Sequence, residues 1–185
     1  MTEEKGWAIR PAELGDAEGI AGVYNEAVLT TVATFDTEPR SLAEQRRWLR
    51  HHGPRHPVLV ATSETEVVGW SALSAWSDRK AYDGTGEVSV YVRADWRGRG
   101  VGRQLLGEIV ARADAAGLHT VLARISAGNP VSVHLHEQVG FRPIGLMHEV
   151  GFKFGRWIDV ELFQRLAGPL GTSPPSEPPA GIKSG

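Results

Sequence analysis

The apolar run Val88-Ser89-Val90-Tyr91-Val92 leads into Arg97-Gly98-Arg99-Gly100-Val101-Gly102-Arg103, and that glycine loop leads into an amphipathic stretch. Val101, Leu105, Leu106, Ile109, Val110 and Ala113 recur at helical spacing, so the segment reads strand, glycine turn, helix. A chain built this way must pack a helix on a sheet. Glycine at every second position lets the backbone approach a ligand and enter turns that a side chain would obstruct. The amides of such a loop, with the free N–H groups and positive end of the following helix, form a cradle for an anion. Arg97, Arg99 and Arg103 add full charges, and a diphosphate is the natural guest.

Two familiar cradles are excluded by spacing. A P-loop needs four residues between its glycines and then Lys-Ser/Thr. Gly98 and Gly102 enclose three, and Arg103-Gln104 follow. The dinucleotide fingerprint needs Gly-x-Gly-x-x-Gly and an acid on the next strand. Arg103 stands where its third glycine would be, and the next strand, about His119–Ile125, carries no acid.

The rest of the chain sets bounds. With 185 residues, it is read as a single domain over 1–168 with room for a full core. From Pro169 to Gly185 the composition turns to Pro, Gly and Ser, which predicts a flexible tail. A net charge of −2 gives no general basic character for nucleic acid. The absence of cysteine rules out disulfides and thiolate catalysis. The N-terminal residues lack an apolar signal core, and no apolar stretch is long enough to span a bilayer, so a cytoplasmic location is expected.

The pattern predicts a short strand at Trp7–Arg10 and a helix from about Asp16, which can cap it. That helix carries Ile20, Val23, Tyr24, Ala27 and Val28 on one face. A second helix is capped by Ser41, and strands follow at Val58–Thr62, Val67–Ser74 and Glu87–Val92. After the glycine-loop helix, closed by Gly117, come a strand at His119–Ile125 and a helix opened by Asn129-Pro130. Two strands lie around Phe141–Met147 and Trp157–Gln164. The order predicts an α/β (α+β) protein with a mixed sheet of about six to seven strands and about four helices, not a doubly wound fold.

Arg97-x-x-Gly100-x-Gly102 resembles the pyrophosphate-binding motif of the GCN5-related N-acetyltransferases (GNAT), and the element order is similar to theirs. The resemblance covers about residues 7–166. It extends to the phosphinothricin and methionine sulfoximine acetyltransferase branch through Tyr24-Asn25-Glu26-Ala27-Val28, Phe35-Asp36-Thr37-Glu38-Pro39, Ala81-Tyr82-Asp83, Leu135-His136-Glu137 and Gly151-Phe152-Lys153-Phe154-Gly155-Arg156-Trp157. It implies the GNAT fold, acetyl-CoA as cosubstrate with no metal, and a homodimer acting on a small amine, with neither nucleic acid nor membrane as partner.

The resemblance implies roles residue by residue. Glu87 is the general base, and apolar neighbours on its strand would suit a carboxylate to that task. Val90, Tyr91 and Val92 pair their backbone with the pantetheine arm, and an N–H near Val92 polarises the thioester carbonyl. Gly98, Gly100, Val101 and Gly102 with Arg97, Arg99 and Arg103 hold the diphosphate, while Asn129, Ser132 and Gln138 lie near the CoA. His136 stands where many relatives carry a proton-donating Tyr. A protonated imidazole can serve there, and a buried histidine with a satisfied hydrogen bond is the other reading. Phe35, Arg79 and Tyr82 contact the amine substrate, Arg79 being suited to a carboxylate.

The implied reaction is acetylation of the amino group of a glutamate-like amino acid such as phosphinothricin. Methionine sulfoximine or sulfone, another small amine, or a non-catalytic acyl-CoA sensor remain as alternatives. His51, His52 and His56 sit in a turn without cysteine and are not read as a metal site. His134 and His136 are two apart on a helix and face different ways.

Overall fold

The computed structural model describes residues 6–64 and 66–168; the expected tail at 169–185 lies outside them. Seven strands form one sheet: β1 (Ala8–Pro11), β2 (Val58–Ser63), β3 (Glu66–Ala75), β4 (Thr85–Val92), β5 (Thr120–Ser126), β6 (Arg142–Lys153) and β7 (Arg156–Leu166). Four α-helices flank it: α1 (Ala17–Thr30), α2 (Leu42–Arg50), α3 (Val101–Ala115) and α4 (Pro130–Gln138). The strand order is β1-β2-β3-β4-β5-β7-β6, and only the β4–β5 pair is parallel. That pair is the one joined through α3, because parallel neighbours need a crossover. The glycine loop is therefore the start of the crossover itself.

Two apolar layers sandwich the sheet. On one side Leu105, Leu106 and Ile109 of α3 pack with Val88, Val121, Ala123, Phe141 and Phe163. On the other, Ile20, Val23 and Tyr24 of α1 and Leu49 of α2 pack with Val58, Val60, Trp70 and Ala72. All the positions read as apolar faces of α1 and α3 are buried. Each such aliphatic side chain contributes about 1.5–3 kcal/mol on burial.

Local signals set several boundaries. Ser41 Oγ accepts from the Glu44 amide at 3.3 Å, and the Glu44 carboxylate accepts from the Ser41 amide at 2.8 Å, a reciprocal capping box. Asn129 Oδ1 accepts from the Ser132 amide at 3.1 Å at the head of α4. Asp16 departs from expectation. It stands at the head of α1, but its carboxylate binds Arg10 at 2.7 Å twice and the Glu13 amide at 2.7 Å, so it clamps the preceding turn to β1 instead of capping α1. The last two strands also run longer than their sequence pattern predicts. β6 and β7 form one long hairpin that turns at Phe154-Gly155, with register shifts between Pro143 and Gly145 and between Met147 and Gly151.

Candidate active site

The two parallel strands part company at one point. β4 and β5 pair at Thr85–Thr120, Gly86–Val121 and Glu87–Leu122, and there the pairing stops. Beyond it β4 stays with β3 as far as Val92, while β5 stays with β7 as far as Ser126. A wedge opens between them with Glu87 at its apex. The side chains of Val90 and Val92 pack toward the α3 layer, and Tyr91 packs against Tyr24 and Trp70 on the other face, with ring centroids 5.1 and 4.8 Å apart. The β5-facing main-chain edge of residues 88–92 is left without a strand partner, which suits an extended ligand arm.

The glycine loop follows β4. Gly98 and Gly100 have φ of 77° and 84°, the left-handed region that side chains rarely occupy. Helix α3 begins at Val101, and its first intrahelical bond runs from the Gln104 amide to the Gly100 carbonyl at 3.1 Å. The amides of Val101, Gly102 and Arg103 therefore have no helical acceptor and are available to an anion. The arginines divide. Arg97 Nε donates to the Val92 carbonyl at 3.1 Å and its guanidinium lies 3.6 Å from Glu26, so it braces the loop. Arg99 stacks on Trp96 at 4.6 Å, and Arg103 is exposed on the first turn of α3. Glu26, which also accepts from the Ala94 amide at 3.0 Å, ties this loop to α1.

Glu87 is not surrounded by apolar groups as its strand suggests. Its side chain is 17% exposed, and both carboxylate oxygens accept from Arg124, from Nε at 2.5 Å and Nη2 at 2.7 Å. The guanidinium also stacks over Trp76, 5.8 Å from the ring centre. This bond to Glu87 raises the Arg124 pKa above its ordinary value, against the opposing pull of burial. Sequence reasoning missed Arg124. A signal exists: it is a lone charge in Val121-Leu122-Ala123-Arg124-Ile125, and a charge on a central strand requires a partner. Two residues on, Ser126 Oγ is buried without a hydrogen-bond partner.

His136 is buried, 3% exposed. Its Nδ1 is 2.8 Å from the Ser132 carbonyl of its own helix, a contact in which Nδ1–H donates, and its ring meets Phe141 edge-on at 5.2 Å. Burial holds its pKa below the ordinary histidine value, partly offset by the Ser132 carbonyl. The neutral imidazole is thus the favoured form, which fits the packing reading better than proton donation. Asn129 spends Oδ1 on its cap, which leaves its NH2 group able to donate elsewhere. Ser132 sits beside it on the first turn of α4. Gln138 lies at the other end of the helix, about 13 Å away, bonded to His134 at 2.9 Å. The structure does not bring Gln138 to Asn129.

The expected substrate residues come from separate segments. Phe35, 37% exposed, packs its ring directly against Gly151 of β6. Its segment is held by polar bonds on three sides. Lys153, 5% exposed, donates to the Thr34 carbonyl at 2.8 Å; Tyr91 donates to the Ala33 carbonyl at 3.3 Å; Tyr24 donates to Asp36 at 2.7 Å. Burial lowers the Lys153 pKa, and nearby Asp36 opposes the shift. Tyr82 is exposed at the rim of a cavity of about 200 Å³ lined also by Arg55, His56, Ser77 and Thr85. Arg79 is exposed and makes no ion pair among the described residues. The histidines of the 51–56 turn diverge: Nδ1 of His51 contacts the Arg47 carbonyl and that of His52 the Trp48 carbonyl, with Nε2 of His52 3.5 Å from Ser74.

The chain that builds this wedge and glycine loop also matches a known family. The model of the acetyltransferase (GNAT) domain matches residues 9–162. The chain belongs to the GNAT family of acetyltransferases. It is 40% identical over 169 residues to the L-methionine sulfoximine/L-methionine sulfone acetyltransferase of Pseudomonas paraeruginosa, covering 90% of this chain and 98% of that one. It is 37% identical to the phosphinothricin N-acetyltransferase of Streptomyces coelicolor over 85% of this chain and 94% of that one. The crystal structure of a GNAT superfamily phosphinothricin acetyltransferase from Sinorhizobium meliloti, in complex with AcCoA, superposes with a TM-score of 0.87 at 37% identity, covering 93% of this GNAT chain and 94% of that one.

Proposed function

We propose that this GNAT enzyme transfers the acetyl group of acetyl-CoA to the amino group of a small glutamate-like amino acid such as phosphinothricin or methionine sulfoximine, conferring resistance to such compounds in the cytoplasm. The observation that carries the reading is the position of Glu87 at the point where β4 and β5 separate, with the unpaired edge of Val90–Val92 running from it toward the glycine loop. A coenzyme held by main-chain groups along that edge, with its diphosphate on Gly98–Arg103 and the NH2 group of Asn129 beside it, has its thioester near the apex. An amino group in water is mostly protonated. Glu87, directly or through a water, takes that proton. The free nitrogen lone pair attacks the thioester carbon, and an amide N–H near Val92 steadies the oxygen that gains charge. The C–S bond breaks and the thiolate leaves, and the second proton, shed by the attacking nitrogen as the amide forms, passes through solvent to the thiolate. Phe35, Arg79 and Tyr82 form the amine side of the cleft, and His136 packs α4 against Phe141.

The test is a thiol-release assay with phosphinothricin, methionine sulfoximine and a panel of amines. Glu87→Gln is expected to lower kcat by about 10²–10⁴ while acetyl-CoA binding by calorimetry stays near wild type. Unchanged turnover would remove Glu87 from the mechanism. We further propose a homodimer. Ile144, Leu146, Val150, Phe152 and Trp157 of the β6–β7 hairpin are each about half exposed, an apolar surface of the kind a second subunit covers. Light scattering at micromolar concentration should give twice the chain mass; a monomer mass would contradict it.

A further inference from the structure

In the free protein the base is occupied. Arg124 Nε and Nη2 take one oxygen each of Glu87, the fork-on-fork arrangement in which a guanidinium binds a carboxylate best. The partners are unequally accessible, Arg124 at 53% side-chain exposure and Glu87 at 17%. Arg124 can therefore move into the cleft, whereas Glu87 cannot readily leave it. Trp76 gives the guanidinium a stacking surface. Alternation along β5 places Leu122, Arg124 and Ser126 on the face opposite Val121, Ala123 and Ile125, which are buried against α3. Ser126 lies about 7 Å from Arg124 along that face; the residue is 7% exposed, and its hydroxyl is buried with no hydrogen-bond partner. A buried hydroxyl left unpaired is costly, so this one is poised for a ligand.

We propose that Arg124 is the receptor for the α-carboxylate of the substrate, and that its transfer from Glu87 to that carboxylate is what frees the base. The proposal rests on the acetyltransferase reading and narrows it to one substrate class, α-amino acids with a free carboxylate beside the amine. The charges exchange in pairs. Before binding there is one pair, the Arg124 guanidinium with Glu87. After binding there are two, Arg124 with the substrate carboxylate and Glu87 with the substrate ammonium. The zwitterion inserts into the existing ion pair, and no charge is left uncompensated. Ser126 Oγ–H donates to the same carboxylate. The ammonium proton then passes to Glu87, and the neutral amine is ready to attack. An amine without a carboxylate, such as a polyamine, finds Glu87 still engaged.

The test compares the best amino-acid substrate with its α-carboxamide at saturating acetyl-CoA. In wild type the carboxamide is expected to lose kcat, by about 10²-fold, the lower end of a general base's contribution, as well as to raise KM. In Arg124→Gln the base is free from the start, so the two compounds should differ in kcat by no more than a few-fold. A carboxamide that reaches the full wild-type kcat at saturation overturns the proposal without any variant. An unchanged ratio of the two compounds in a folded Arg124→Gln protein overturns it as well. If Arg124→Gln does not fold, Arg124→Lys keeps the charge without the fork, and the kcat ratio should then fall between 1 and the wild-type value; a wild-type ratio overturns the proposal. If wild type releases thiol with no amino acid at all, the acetyltransferase reading fails and takes this proposal with it, a result distinct from the others.

Discussion

Gly151→Ala isolates the contact between the β6 hairpin and Phe35. A Cβ at Gly151 would lie 2.1 Å from Cε2, 2.5 Å from Cδ2 and 2.6 Å from Cζ of the Phe35 ring. Carbon atoms in contact sit about 3.5–4.0 Å apart, so the ring must retreat by roughly 1 Å or more. Gly151 does not have a positive φ, so alanine meets no backbone penalty and the clash is the whole effect. Phe35 is 37% exposed and has solvent to move into, which limits the overpacking cost to about 1 kcal/mol, the low end for an added methyl. For a chain of this size that lowers Tm by about 2–4 °C. The kinetic effect is larger. With Phe35 on the proposed amine side of the cleft, a displacement near 1 Å is expected to lower kcat/KM for the amine by about 10- to 100-fold. KM for acetyl-CoA stays the same, because the glycine loop is untouched. Thiol release with the amine varied at saturating acetyl-CoA measures the first quantity, and the reverse titration the second. The companion experiment adds Gly151→Ala to Phe35→Ala. With the ring gone the methyl clashes with nothing, and the second substitution should cost almost nothing more. Two results refute the reasoning: Gly151→Ala with wild-type amine kinetics and Tm, or the full penalty reappearing when Phe35 is absent.

Two further perturbations address the cofactor side and pH. Gly100→Ala places a side chain at φ 84°, costs about 1–2 kcal/mol, and should weaken acetyl-CoA in calorimetry while leaving KM for the amine near wild type. Burial lowers the pKa of His136 and of His52 in the folded chain. The unfolded state therefore takes up protons near pH 6.5 that the native state refuses, so the stability from these groups is complete above that pH and is lost as pH falls toward their folded values. Tm should be flat from pH 8 to 7 and decline below 6.5, and His136→Gln and His52→Gln should each make the decline shallower; an unchanged slope in both would refute the assignment.

The parts of the fold that were legible share a property: their signal is local. The capping box at Ser41, the Asn129-Pro130 start of α4, the stop at Gly117 and the apolar faces of α1 and α3 each depend on residues within one or two helical turns. The glycine loop belongs with them, since its two left-handed residues and the helix after them are contiguous. Asp16 shows the limit of such signals. Its position suits a helix cap, but Arg10, brought close by β1, takes the carboxylate. The same holds at the site. Glu87 and Arg124 are 37 residues apart, and only the parallel pairing of β4 with β5 makes them neighbours. Phe35 and Gly151 meet only once the hairpin folds back. The hairpin itself is hard to read because Ile144, Leu146, Phe152 and Trp157 are apolar and yet exposed, so alternation there does not report which face turns to the core.

This division separates what holds the coenzyme from what selects the amine. On the proposed reading the coenzyme side is a strand edge, a glycine turn and a helix start, where main-chain groups do most of the binding. Side chains there can change widely as long as the glycines stay. The proposed amine side is assembled from residues 33–36, the loop before β4, β5 and the bulged part of β6, held together by single long-range bonds such as Lys153 to the Thr34 carbonyl at 2.8 Å and Tyr91 to the Ala33 carbonyl at 3.3 Å. One substitution in any of these segments moves a wall of the cleft without touching the wedge or its glycine loop. Such a wall shift is worth a few kcal/mol of discrimination between amines that differ by a methylene. A requirement set by Arg124 is of another kind, because it acts on the base. Wall substitutions should therefore trade one amino acid for another, whereas releasing the demand for a carboxylate should require a change at Arg124 itself.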